Sequence, residues 1–115
     1  MTESRGDDMD REQQLEKALN AIADREEAYE EACKSFADAE SEYRIQKSRE
    51  YLAAEGTEKA REATAIIRVE KYLRERDRLE AVKDFTFQKL RDAQMATSAR
   101  QSLLNADVRT NKAFA

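Results

Sequence analysis

The segment KSREYLAAEGTEKAREA, residues 47–63, contains one of only two glycines in a chain of 115 residues that has no proline. Its centre reads Gly56, Thr57, Glu58. Glycine adopts a left-handed conformation at little cost and often ends a helix. A threonine hydroxyl caps the first turn of the next helix, and an acidic residue in that turn interacts favourably with the helix dipole. The segment therefore predicts the corner of an antiparallel helical hairpin.

The composition on either side of this corner favours helices. Charged residues make up 40 % of the chain and aromatic residues 7 %. This composition is typical of long helices or coiled coils and disfavours sheets. No segment approaches the roughly 18 consecutive apolar residues that a membrane span needs. We expect a soluble all-α protein that forms a long, coiled-coil-like helical hairpin.

The first predicted helix runs from about residue 10 to about residue 55. Its apolar positions recur every seven residues and form one seam, with small residues between them. The seam comprises Leu15, Ile22, Tyr29, Phe36 and Tyr43. Residues 1–9 are polar, include Gly6 and have no apolar period, so we interpret them as a disordered tail.

The second predicted helix starts at Thr57, after a corner at residues 55–57, and runs to about residue 105 or beyond, without interruption. Its apolar residues lie all around the helix, so the first helix cannot cover them all. We therefore expect self-association into a homo-oligomer. The candidate residues for this contact are Phe85, Phe87, Leu90, Leu103, Leu104 and Val108. The sequence leaves open the number of subunits, exchange of arms between chains, and order in residues 105–115.

Charge is distributed unevenly along the chain. Residues 1–42 contain 5 basic and 14 acidic residues, whereas residues 43–78 contain 10 basic and 7 acidic residues. An acidic protein, with a net charge of −4, thus has a basic zone around its corner.

Basic side chains neutralise phosphates and tyrosines stack on unpaired bases, so this zone predicts a surface for single-stranded nucleic acid. The first candidates are Lys47, Arg49, Lys59 and Arg61, followed by Arg44, Arg68, Lys71 and Arg74, with Tyr51 as the stacking residue. The alternative is that these residues are solvated helix surface, paired with acidic residues one helical turn away.

The residues that most often carry catalysis and bind metals are missing. The chain has no histidine and no glycine-rich phosphate loop. The single Cys33 lies on the apolar seam, where a small buried hydrophobic residue is expected rather than a nucleophile. We therefore predict a non-enzyme without metal or cofactor. One cysteine and no apolar leader segment indicate a reducing, cytoplasmic setting.

Three segments resemble the recombination-mediator family UvsY of tailed bacteriophages. They are the basic run QKSREYL before the corner, the helix IIRVEKYLRERDRLEAV after it, and the terminal RTNKAFA. The resemblance implies a ring-like homo-oligomer in the infected bacterial cell. It also implies that the oligomer binds single-stranded DNA and helps to load a RecA-like recombinase onto strands covered by single-strand-binding protein.

Two positions and one region take their roles from this resemblance. Lys47 and Arg49 match the DNA-binding residues before the corner, and the stretch around Leu90 to Val108 matches the assembly helix. A recombinase and a single-strand-binding protein are the implied partners. The alternative hypothesis is a phage structural or regulatory helical oligomer that binds a protein partner and no nucleic acid.

Overall fold

The computed structural model describes residues 2–113, with side chains described for residues 10–110. It contains the helices α1 (Thr2–Ala53), α2 (Glu58–Arg68) and α3 (Glu70–Ala113). Residues 2–113 contain no strand. The predicted all-α helical hairpin is therefore confirmed.

Helix α1 begins earlier than the sequence predicted. It starts at Thr2, so the assignment of a disordered tail is wrong from that residue onward, whereas Met1 lies outside the described residues. A glycine inside a helix costs only about 1 kcal/mol relative to alanine, and adding a residue to an existing helix is far easier than nucleating one. Gly6 alone is therefore not enough to stop a helix that is already formed by the residues after it.

The corner is the four-residue connection at residues 54–57. Gly56 has a φ of 107°, the positive value that glycine was expected to supply. The hydroxyl of Thr57 accepts a hydrogen bond from the backbone N–H of Ala60 at 3.3 Å, which caps α2 as predicted. Local rules for helix ends therefore account for this connection.

The second arm has a break that the sequence did not predict. Val69, with φ −102° and ψ 12°, separates α2 from α3. Its N–H still donates to the carbonyl of Ala65 at 3.0 Å, so the interruption is confined to this residue. Three β-branched residues, which have restricted side-chain rotamers and low helix propensity, occur within positions 66–69. Val69 is also the largest fully buried side chain among the described residues.

The heptad seam of α1 is confirmed by burial. All five seam residues, Leu15, Ile22, Tyr29, Phe36 and Tyr43, are half-buried, and Ala32 between them is buried. On α3 the inward row includes Leu79, Leu90 and Thr97, whose spacings of 11 and 7 residues are sums of helical steps of three and four. Both arms thus present a coiled-coil-like seam.

The contacts divide the chain into two units, and within each unit a part of α1 packs antiparallel to a part of the second arm. The corner unit is Tyr29–Thr86. Within it, Phe36 contacts Lys83, Tyr43 contacts Arg76 and Glu50 binds Arg68. Residues later in α1 thus contact residues earlier in the second arm, so the two arms are antiparallel within this unit.

The terminal unit comprises Met1–Ala28 and Phe87–Ala115. Arg11 forms an ion pair with Asp107 there. The same pair borders a cavity of about 300 Å³, together with Leu15 and Leu104. The helix continues to Ala113, so most of the segment that the sequence left open is helical.

Candidate nucleic-acid interface

An open groove lies beside the corner, between the end of α1 and the start of α2. Its volume is about 610 Å³. It is lined by Lys47, Ser48, Tyr51, Leu52, Glu58 and Glu62. Two predicted site residues, Lys47 and Tyr51, therefore share one concave surface because they lie one helical turn apart on α1.

The charge in this groove is mixed. Lys47 is its one cation, whereas Glu58 and Glu62 contribute two carboxylates from α2. The carboxylates would repel a phosphate that approaches Lys47, so any anion bound here has to sit toward the α1 side. The sequence count of basic residues did not reveal this arrangement.

Several candidate cations further from the corner are already bound to acidic residues. Arg44 donates to Glu40 at 3.0 Å, and Arg74 donates to Glu70 at 2.6 Å. Both pairs are formed within one helix at a spacing of four residues. Arg44 and Arg74 therefore show the pairing that the alternative interpretation expected.

Two more candidates are engaged in other contacts. Arg68 reaches from α2 to α1, where its Nη1 donates to Glu50 at 3.3 Å. The ammonium of Lys71 lies 4.9 Å from the centre of the Tyr72 ring. Arg68 thus links the two arms of the corner unit, and Lys71 contacts its neighbour on α3.

The four first-choice cations differ from these. Within residues 10–110, the side chains of Lys47, Arg49, Lys59 and Arg61 form no ion pair. The Nε of Arg61 is buried and has no hydrogen-bond partner. Arg49 and Lys59 are exposed, while Lys47 and Arg61 are half-buried. The four cations nearest the corner thus have no intramolecular counterion within residues 10–110, a property that they share with Lys17, Arg25 and Lys34 on α1.

These four residues do not form one compact patch. Lys47 and Arg49 are two positions apart on α1, as are Lys59 and Arg61 on α2. Residues two apart on a helix point roughly 200° away from each other. Lys47 and Arg49 therefore cannot contact the same phosphate, and a strand that contacts all four has to wrap around the corner.

Two further cations lie between the arms of the corner unit. The guanidinium of Arg76 lies 5.1 Å from the centre of the Tyr43 ring, and the ammonium of Lys83 lies 4.3 Å from that of Phe36. Both are half-buried. Such contacts contribute about 0.5–1 kcal/mol at exposed sites and more where water is excluded. Sequence analysis included Arg76 only in the count of basic residues at positions 43–78, although its spacing of seven residues from Lys83 was a usable signal.

Charge pairing changes proton affinity on α3. The hydrogen bond from Arg78 holds the pKa of the Glu75 carboxyl below its usual value, and the same contact raises the pKa of the Arg78 guanidinium. On α1, a hydrogen bond with Cys33, followed by partial burial and by negative charge from Asp84, raises the pKa of Tyr29. Cys33 is half-buried in this seam.

The predicted self-association residues fall into two groups. Phe85, Phe87, Leu103 and Val108 are exposed, by 60, 44, 68 and 46 %, respectively. Leu90 is only 8 % exposed, so its assignment to an external contact is wrong, because it continues the inward row of α3. Leu104 is half-buried and borders the cavity of the terminal unit.

Similarity to known proteins assigns no family or function to this chain. No family model, curated protein or solved structure matches this chain. Residues 10–110 contain no group of three potential metal ligands. In the part of the chain that the structure describes, every helix is too short or too polar to cross a bilayer.

Proposed function

We propose that the chain binds single-stranded DNA around its helical corner. The observation that carries this proposal is that four cations without an ion pair lie close together in sequence on the two sides of the corner, whereas the candidate arginines further along the arms are paired with glutamates. A cation already held by a carboxylate gives up that contact when it binds phosphate. Lys47, Arg49, Lys59 and Arg61 do not incur this cost, so they contribute most of the binding free energy.

The preference for a single strand rests on Tyr51 and on the shape of the corner. Tyr51 is half-buried beside Lys47 in the groove, where its ring can stack on an unpaired base while the ammonium contacts the neighbouring phosphate. Stacking of this kind contributes about 1–3 kcal/mol per base. A flexible single strand can follow cations on different sides of the corner, whereas a stiff duplex cannot.

The proposal is tested by two variants that lose the same charge. The first replaces Lys47, Arg49 and Lys59 by alanine, and the control replaces the paired residues Arg44, Arg74 and Arg78 by alanine. We expect the corner variant to lose affinity by at least about tenfold at low salt. Its salt dependence should weaken by about 2 in log–log slope, since each phosphate contact contributes about 0.7.

The control should keep most of its affinity and salt dependence, and both variants should keep the helicity of the original protein by circular dichroism. If the two variants lose affinity equally, binding responds only to net charge and the assignment to the corner is contradicted. If neither loses affinity, nucleic acid binds elsewhere.

The resemblance to recombination mediators adds a finer proposal. A homo-oligomer would repeat the corner cations along one strand, which raises avidity without new contacts. Such an oligomer is suited to loading a recombinase onto DNA covered by single-strand-binding protein. If the chain has this role, adding it should speed the loading of a recombinase onto covered DNA. The variant with alanine at Lys47, Arg49 and Lys59 should not speed loading.

A second candidate function is supported by different residues. Apolar side chains exposed on α3, Phe85 and Leu103 among them, are typical of surfaces that contact another protein. In that function the chain is a structural or regulatory helical module, and the corner cations are solvated surface. Absence of single-strand binding at low salt would favour it.

A further inference from the structure

Helix α3 has a second row of residues besides its inward seam. We call this row the outer stripe. Its positions are separated by alternating steps of three and four residues, as on a coiled-coil face, and all of them are exposed. The outer stripe comprises Val82, Phe85, Lys89, Asp92, Ala96 and Ala99.

The order of residues along the outer stripe is self-complementary. Consider a two-fold axis that crosses α3 midway between Lys89 and Asp92. The positions equally distant from that axis are then 89 and 92, 85 and 96, and 82 and 99. Each pair joins opposites: a cation with an anion, an aromatic residue with alanine, and valine with alanine.

An antiparallel pair of α3 helices would use each of these opposites. Lys89 would face the partner's Asp92, and the symmetry would form that ion pair twice. Asp92 accepts a hydrogen bond from Gln88 through Oδ1 at 2.9 Å, and its Oδ2 is the atom that would accept from the partner's Lys89. Phe85 would enter the space left above the partner's Ala96, because a small residue allows a large one to pack opposite it. Phe85 is 60 % exposed and Val82 is 39 % exposed, so both have apolar surface to bury in such a contact.

The charges also exclude the opposite orientation. In a parallel pair, Lys89 would face a second Lys89 and Asp92 a second Asp92. Like charges directly opposite each other reject that arrangement, which is how charged positions set orientation in coiled coils. Each Phe85 would then face a second Phe85 and each Ala96 a second Ala96, so the two rings would compete for the same space.

We propose that a second copy of this chain docks on the outer stripe in an antiparallel, two-fold arrangement. This inference rests on the self-association that accompanies the proposed function, and it specifies its surface. It does not depend on DNA binding, because the outer stripe contains none of the corner cations. It differs from a ring in that the same surface is used on both copies.

The experiment uses two single charge reversals in the full-length chain. Lys89→Glu places two acidic residues on the outer stripe, and Asp92→Lys places two basic residues there. Each variant alone should dissociate at least about tenfold more readily than the original protein, because both of its symmetric contacts become repulsive. Mixing the two variants should restore dimers, since every contact in the mixed dimer is then between opposite charges.

Controls separate this surface from general effects. Arg91→Glu makes the same change in charge at an exposed position that faces away from the outer stripe, and it should leave association unchanged. Phe85→Ala should weaken association, whereas Phe87→Ala, off the outer stripe, should not. Circular dichroism should show unchanged helicity in all variants.

Sedimentation velocity over a range of protein concentrations provides the readout. Dimers of the original protein, dissociation of both single reversals and recovery in the mixture are the expected result. The proposal is overturned if the original protein stays monomeric, if either reversal leaves the dimer intact, or if the mixture fails to recover. Loss of DNA binding with intact dimers would contradict only the proposed function, so the two failures are distinguishable.

Discussion

The basic residues at the corner and those along the arms are of the same type but differ in their surroundings. Arg44 and Arg74, on the arms, lie within 3.0 Å of a glutamate on their own helix. Lys47 and Lys59, near the corner, have no ion pair within residues 10–110. A count of charges treats these residues alike, whereas the structure separates them into neutralised and available cations.

This difference follows from helix geometry. Along an arm, glutamate and arginine four positions apart meet on the same face, so a regular charged helix neutralises itself. Four residues before Lys47 and Arg49 stand Tyr43 and Ile45, which cannot act as counterions. Glu50, three residues after Lys47, binds Arg68 instead. Which residue stands one helical turn away therefore decides whether a cation is paired within its own helix.

The largest effect we expect comes from altering the corner itself. Gly56→Ala forces an alanine to adopt a φ of 107°. A new Cβ would meet Ala60 at 3.4 Å, which is an ordinary contact, so the cost arises from backbone conformation. We expect a loss of about 1–3 kcal/mol in the free energy of unfolding, measured by urea denaturation. Glu55→Ala, the neighbouring change without a positive φ, should stay within about 0.5 kcal/mol; equal stability of both variants would contradict this view of the corner.

An intermediate effect should follow from neutralising the acidic side of the groove. Glu58→Gln with Glu62→Gln removes the two carboxylates that face Lys47, so affinity for single-stranded DNA should rise several-fold, by up to about 1 kcal/mol. The matched control is Glu12→Gln with Glu16→Gln, exposed acidic residues of the terminal unit. Both variants change net charge equally. An equal gain in affinity would show that the groove is not the binding site.

The smallest effect concerns an arm pair. The Arg78 guanidinium lowers the pKa of Glu75 in the folded chain, so the folded state binds fewer protons at this group than the unfolded state does. The pair therefore stabilises the fold above the unfolded carboxyl pKa, and this contribution is lost as pH falls through the folded pKa. Carbon NMR of the carboxyl should show a pKa below the ordinary value of 4.5, returning toward it in Arg78→Ala. An unchanged titration in that variant would mean that the ion pair is not formed in solution.

Sequence reasoning succeeded where structure depends on neighbours along the chain. Gly56 and Thr57 form the turn and the cap that they predict, because both effects act within a few residues. The seam of α1 was also predictable, since seven-residue spacing of large apolar residues determines the buried face. The four residues ranked first for phosphate contact have no ion pair within residues 10–110, and their role in binding stays a prediction.

Sequence reasoning failed for residues at the contact between the two arms. Arg76 was counted only as part of the basic zone and Lys83 was not singled out, yet both lie over aromatic rings of α1 in the corner unit. The break at Val69 was missed because the three β-branched residues within positions 66–69 only lower helix propensity, which is too weak a signal to locate a break. Leu90 looked like one apolar residue among several around α3, and only its register with the inward row places it in the interior.

The most direct test of the central claim is a fluorescence-anisotropy titration of a labelled single-stranded oligonucleotide with the unmodified protein. It should be performed at low and at physiological salt, with a duplex of equal length as the control. The account predicts tight binding at low salt, preference for the single strand and a fall in affinity as salt rises. No binding at low salt, where electrostatic attraction is strongest, would contradict it and favour a protein-binding helical module.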